Sequence, residues 1–242
     1  MSTQSKKMGF VPAKDRPAGF PRIIISVSGL EKQGKTHFGF SAPGPIAYFS
    51  TDIGDEGVVE KFMADKKIEI MEIDREAQAD KEWKRFLDAS NYALSGNDFR
   101  TIIYDTATEL WELLRLARFG KLTQVMPYQY GPVNKEYRDF IKSFYRHDKN
   151  VVLLHKMKAE YIADKRTGNY ERAGFSDTGF LVQVNAQMWR YGVEDGGDFV
   201  CSVRDCRQNP DIAGMDFEGM MCNFPMVAQM VLPDSDSEAW ED

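Results

Sequence analysis

Gly29-Leu30-Glu31-Lys32-Gln33-Gly34-Lys35-Thr36 fits the pattern G-x-x-x-x-G-K-[ST]. Before it runs Arg22–Ser28 (RIIISVS), a short β-branched stretch with polar ends, which reads as a buried strand. After it, a helix is predicted from Lys35 to the Ser41–Pro45 break. Strand, glycine loop and helix in that order are what the pattern needs to hold phosphate. The glycines let backbone N–H groups turn inward, the lysine reaches the β- and γ-phosphates, and the hydroxyl of Thr36 ligates Mg²⁺. The helix start adds its partial positive charge. The spacing therefore predicts an ATP site lined by Gly29, Leu30, Glu31, Lys32, Gln33, Gly34, Lys35, Thr36 and His37, with Mg²⁺ on Thr36.

Working outward, strands and helices alternate. Strands are expected at Ile46–Thr51, Lys67–Ile73 (an edge), Arg100–Tyr104 and Asn150–Leu154, and helices at Asp80–Ser95, Thr108–Phe119 and Asn134–His147. Beyond His155 the signals change to β-hairpins, with turns at Gly168–Asn169 and Gly196–Gly197. The implied fold class is α/β: a mainly parallel sheet with helices on both faces and a C-terminal β-hairpin addition.

A phosphate loop needs a second acid for the metal, placed at the end of a buried strand. Asp105, directly after Arg100–Tyr104, fits; its alternative reading is a helix N-cap. To orient the attacking water, Asp52 at the end of the second strand is the first choice and Glu56 the second. His155 closes Asn150–Leu154 on the same sheet edge. It reads either as a sensor of the γ-phosphate or as a structural histidine. The catalytic set read from the chain is Lys35, Asp52, Asp105, His155 and Glu56.

The net charge is −6, but the last nine residues hold five acids (Asp234, Asp236, Glu238, Glu241, Asp242) and no base, so the rest is close to neutral. Nucleic acid is therefore not excluded. Three organisational parts follow: a flexible basic arm over 1–21, an ATPase domain over 22–232, and an acidic tail over 233–242. The tail is expected to be disordered. It reads either as a solubilising end or as a mimic of nucleic acid, with carboxylates standing in for phosphates and Trp240 for a stacked base, that masks this chain's basic loops or docks on a single-strand-binding or other replication protein. No apolar run nears the ~20 residues of a membrane span, and the N-terminus lacks a secretory pattern. A cytoplasmic protein is expected. Three cysteines without zinc spacing (Cys201, Cys206, Cys222) read as reduced thiols.

The series GLEKQGKT, YFSTDIG, TIIYDTATELW, YGPVNKEYRDFI and NVVLLHK resembles the phage-encoded RecA-like ATPases, the minimal core-only relatives of RecA in phage recombination and single-strand annealing. The resemblance covers about residues 22–207. It implies a RecA-like P-loop core, ATP with Mg²⁺, single-stranded DNA as partner, and a homo-oligomer. It puts Asp52 where the family usually has a water-activating glutamate, and His155 where the family keeps a polar sensor. It also implies DNA contact by loops after central strands. One is the Arg115–Arg138 region, basic and aromatic. The other is Lys156–Arg172, where Lys158, Lys165, Arg166, Tyr170 and Arg172 are the expected contacts. Arg204 and Arg207, near the end of Phe199–Arg207, fall where RecA-like proteins send arginines to a neighbour's nucleotide; surface arginines are the other reading. The expected function is an ATP-hydrolysing protein acting on single-stranded DNA in recombination, annealing or replication. The alternative is a nucleotide-switched binding protein docking on replication or packaging machinery. A small-molecule kinase is disfavoured, since no arginine-rich lid is found.

Overall fold

The structure, a computed structural model, describes residues 21–52, 54–74, 76–121, 125–192, 194 and 196–241. The basic arm expected over 1–21 lies outside the described residues except for Pro21, and Asp242 lies outside them too.

Eight strands form the main sheet: β1 (Ile24–Gly29), β2 (Ile46–Ser50), β3 (Ile68–Glu72), β4 (Thr101–Asp105), β5 (Asn150–His155), β8 (Val184–Arg190), β9 (Phe199–Cys206) and β10 (Asp216–Glu218). Two more, β6 (Met157–Ile162) and β7 (Lys165–Arg172), form a separate antiparallel hairpin. The sheet order is β10-β9-β8-β1-β5-β4-β2-β3. Pairing is parallel from β8 through β3 and antiparallel for β8–β9 and β9–β10. Strand β5 thus separates the loop-bearing β1 from β4, which ends in Asp105. This is the expected RecA-like P-loop fold, with β8–β9 as the hairpin addition.

The helices are α1 (Lys35–Phe40), α2 (Ala79–Ser95), α3 (Ala107–Phe119), α4 (Tyr130–Ser143), α5 (Thr178–Leu181) and α6 (Phe224–Val231). Each central strand is buried on both faces, and its side chains alternate between two cores. Ile24, Phe49, Tyr104, Val151 and Leu153 join Trp83, Leu110, Tyr137 and Phe140 of α2, α3 and α4. Ile25, Val27, Ile103, Val152 and Leu154 join Phe38, Phe40 and Val227 of α1 and α6 on the other face. This alternation decides which strand-end residues face the phosphate loop.

Two expectations are corrected. The β6–β7 turn is at Ala163–Asp164, both with positive φ (49° and 61°), not at Gly168–Asn169, which lie inside β7. Two consecutive left-handed residues give the turn whose twist matches the flanking strands. The tail is not disordered over its described part. A 3₁₀ turn at Ser237–Trp240 seats Trp240, 2% exposed, in the α1-side core. The indole Nε1 donates to Ser235 Oγ at 2.9 Å, and Arg100 donates to the carbonyls of Ala239 (2.5 Å) and Glu241 (2.7 Å). One large apolar ring outweighs the polar composition around it, so Trp240 is not available to stand in for a base. The cysteines form no disulfide. No helix among the described residues is long and apolar enough to cross a membrane.

Candidate functional site

The loop between β1 and α1 is built from left-handed residues. Lys32 has φ 56° and Gly34 φ 82°, and a Cβ on Gly34 would stand 2.9 Å from the Phe199 ring. Only glycine fits there. Lys35 Nζ donates to Leu30 O at 2.7 Å, which curls the side chain over the loop. Burial lowers its pKa, and the charges of Asp105 and Asp52 oppose that. The Gln33 Oε1 is buried without a hydrogen-bond partner among the described residues. His37, by contrast, turns its ring edge-on to Phe62, 4.8 Å between centroids.

Asp105 ends β4 as expected and is 3% exposed. Its Oδ2 accepts from Thr36 Oγ1 at 2.7 Å and from Tyr48 OH at 3.0 Å. Burial pushes its pKa up, and the two hydroxyl donors pull it back. The N-cap of α3 is Thr106, whose Oγ1 accepts from Glu109 N at 3.2 Å, so the capping role belongs to the next residue. A hydroxyl and a carboxylate side by side under the loop are hard oxygen donors, and that donor set fits Mg²⁺ carried with phosphates.

Asp52 sits just past β2. Its Oδ1 accepts from Gly54 N at 3.0 Å, and its Oδ2 lies 3.5 Å from Lys156 Nζ. Lys35 and Asp105 both feel its charge. Glu56 is exposed in the turn that follows.

His155 does not face the phosphate loop. Asp105 pairs with Leu154 across β4–β5, and Leu154 belongs to the α1-side core, so residues 152, 154 and 156 share the loop's side. His155 points to the opposite face and is fully buried. Its Nδ1 lies 3.3 Å from Ala173 O, and its Nε2 has no partner among the described residues. Burial, helped by the nearby Arg172 charge, pushes its pKa down to about 3, so the ring is neutral. The residue that reaches the nucleotide side is Lys156. It bonds Glu109 Oε1 at 2.7 Å as well as approaching Asp52. Sequence reading counted Lys156 only among the bases of the Lys156–Arg172 stretch and passed over Glu109. Strand alternation counted from Asp105 was the signal for the first, and the first turn of the helix after Asp105 for the second.

The two basic regions differ. In the Arg115–Arg138 region four of the five cations are paired with acids: Arg115 with Glu112, Arg118 with Glu136, Lys135 with Asp139 and Arg138 with Asp177. The β6–β7 hairpin instead exposes Tyr161, Ile162 and Tyr170, and Arg166 donates to Tyr170 OH at 3.0 Å while lying over its ring. At the hairpin's root opens a cleft of about 750 Å³. It gathers Lys158, Arg172, Arg204 and Arg207 against Glu171 and Asp205, with Ser28 and Asn185 also in its lining. Lys158 is paired with Glu171 at 3.1 Å. Among the described residues Arg172 bonds only neutral acceptors: Asn185 Oδ1 at 3.0 Å, Ser176 O at 3.2 Å and Ser26 Oγ at 3.4 Å. Burial lowers its pKa. Arg204 bonds Gln187 Oε1 (2.9 Å) and Arg207 bonds Phe180 O (2.6 Å). Residues read from the sequence as two separate sites therefore line one cleft.

A family model described as an AAA domain matches residues 22–182. The chain belongs to this AAA-domain family. The match spans the loop, Asp52, Asp105, Lys156 and the hairpin, and makes this AAA domain a P-loop ATPase by family as well as by fold. No curated protein sequence matches the chain. Among solved structures, a KaiC-like protein from the hyperthermophilic archaeon Pyrococcus horikoshii OT3 aligns with 83% of this chain and 86% of its own, at 12% identity and a TM-score of 0.49.

Proposed function

We propose that this AAA-domain protein hydrolyses ATP with Mg²⁺ and acts on single-stranded DNA, in recombination, annealing or replication of phage DNA in the host cytoplasm. The ATP half rests on the loop together with the Thr36–Asp105 pair at 2.7 Å. Thr36 and Asp105 would hold Mg²⁺, which when bound neutralises phosphate charge. Lys35 would leave the Leu30 carbonyl for the β- and γ-phosphates. Asp52 would orient the attacking water, with Glu56 the lesser candidate. The contact of Lys156 with Asp52 supports slow hydrolysis in the absence of a partner, and to that extent favours the nucleotide-switched alternative.

The observation that carries the DNA half is Arg172, a largely buried guanidinium with no carboxylate partner among the described residues, in a cleft with three further cations. A cation kept buried without a counter-charge awaits an anion from outside. The exposed Tyr161 and Tyr170 of the hairpin offer faces for stacked bases, and Lys165 and Arg166 offer charge for phosphates. In a homo-oligomer, Arg204 and Arg207 could be presented to a neighbour's nucleotide; within one subunit they extend the cleft. The test is binding of a labelled oligo-dT across a salt series. Lys165→Glu with Arg166→Glu should weaken binding and flatten the log–log salt slope by about 0.7 per lost phosphate contact. Unchanged affinity would remove the hairpin from the strand site.

A further inference from the structure

Lys156 is the single residue between β5 and the β6–β7 hairpin. Two hydrogen bonds hold its backbone, and a third joins their partners to each other. Lys156 N donates to Thr108 Oγ1 at 3.0 Å, Ala173 N donates to Lys156 O at 2.9 Å, and Thr108 Oγ1 donates to Ala173 O at 3.2 Å. Both ends of the hairpin are thus tied to the first turn of α3, which follows directly on Asp105. Any pull on the hairpin reaches residue 156.

The side chain lies between two carboxylates at unequal distances. Nζ is bonded to Glu109 Oε1 at 2.7 Å and is in looser ionic contact with Asp52 Oδ2 at 3.5 Å. The other Asp52 oxygen is already engaged by Gly54 N at 3.0 Å. Each oxygen of Asp52 thus has one such neighbour, an amide on Oδ1 and an ammonium near Oδ2. The ammonium beside Oδ2 competes with a water for that oxygen, and moving it away lets the water take its place. An ammonium with three donors on a flexible stem can make that exchange by a small movement, because Glu109 holds it on the far side.

We propose that Lys156 is a positioning residue that couples the hairpin to hydrolysis: at rest it bridges Glu109 and Oδ2 of Asp52, and it gives up the Asp52 contact and stays on Glu109 when a strand engages the hairpin. This rests on the reading of Asp52 as the water-orienting group and of the hairpin as the strand contact.

The test compares ATP turnover of the full chain with and without oligo-dT for Lys156→Met, Glu109→Gln and the double variant. Lys156→Met should raise turnover without DNA by roughly fivefold, the size of a partly exposed ion pair expressed as a rate ratio. It should leave little further stimulation by DNA and keep oligo-dT affinity. Glu109→Gln removes the nearer partner and drives the lysine onto Asp52, so turnover should fall. Adding Lys156→Met should then restore the rate of the single Lys156→Met variant. Lys156→Arg, which keeps the cation, should retain stimulation. A purely structural role would not give this epistasis. Loss of basal and stimulated turnover alike in Lys156→Met would overturn the proposal, and so would additive effects of the two substitutions. A parent protein that DNA fails to stimulate would sink the single-strand reading instead. The Lys156–Glu109 epistasis, measured without DNA, would still decide whether the lysine restrains Asp52.

Discussion

Replacing Trp240 with alanine tests whether the C-terminal segment is part of the folded domain. A tryptophan buries ~200 Å², and at ~25 cal/mol per Å² that is about 5 kcal/mol. The extended-chain reference overstates burial, which brings the expectation to the ~3–5 kcal/mol seen for large aromatic-to-alanine changes in cores. The ring is 2% exposed and shares a core with Phe224, Val227 and Val231, so the upper part of that range would apply to a rigid site. A chain end can also detach by itself, and the cost is then limited to what docking of the segment contributes. About 3 kcal/mol is therefore expected for Trp240→Ala, read as a lower urea midpoint at unchanged m-value. Trp240→Phe should recover most of it, losing chiefly the bond from Nε1 to Ser235 Oγ. If Trp240→Ala and deletion of residues 233–242 both leave the midpoint where it was, the packing argument for this segment is refuted.

Asp52→Asn should bind ATP at parental affinity but turn it over slowly, whereas Asp105→Ala should weaken Mg²⁺-dependent binding itself. Equilibrium nucleotide binding and single-turnover phosphate release separate the two, and a parental rate for Asp52→Asn would shift the role to Glu56. His155 gives a pH signature. Its folded pKa, about 3, lies below that of the unfolded chain, so the unfolded state holds more protons between about pH 3 and 6.5. Its contribution is fully present above pH ~6.5 and is lost as pH falls through that window, at up to about 1.4 kcal/mol per pH unit. His155→Phe should flatten the acid limb of stability, measured by urea midpoints between pH 4 and 7. An unchanged limb would mean that the ring is not buried neutral.

Most of the fold was legible because its signals are local. The glycine loop, the β-branched strands and the helical periodicities each fall within one short continuous stretch of chain, and their order dictates a parallel sheet. Asp105 could be named because a buried strand must end somewhere near the loop. The failures lie where the answer depends on distant parts of the chain. Whether His155 or Lys156 faces the nucleotide is a question of parity. It is settled by the pairing of Asp105 with Leu154 and by α1 packing on that side. Glu109 matters only because residue 156 arrives beside it from 47 positions away. The cleft joins Lys158 and Arg172 to Arg204 and Arg207 through the β1–β8–β9 pairing. Composition called the tail disordered, and a single ring finding a core site was enough to reverse that.

The central claim is that one chain joins an ATP site to a strand site. Phosphate release from ATP and Mg²⁺, measured with and without oligo-dT and with Lys35→Ala as the blank, tests it most directly. The account predicts slow release above the blank that rises severalfold when the oligonucleotide is added. Release indistinguishable from the Lys35→Ala blank under both conditions would contradict it.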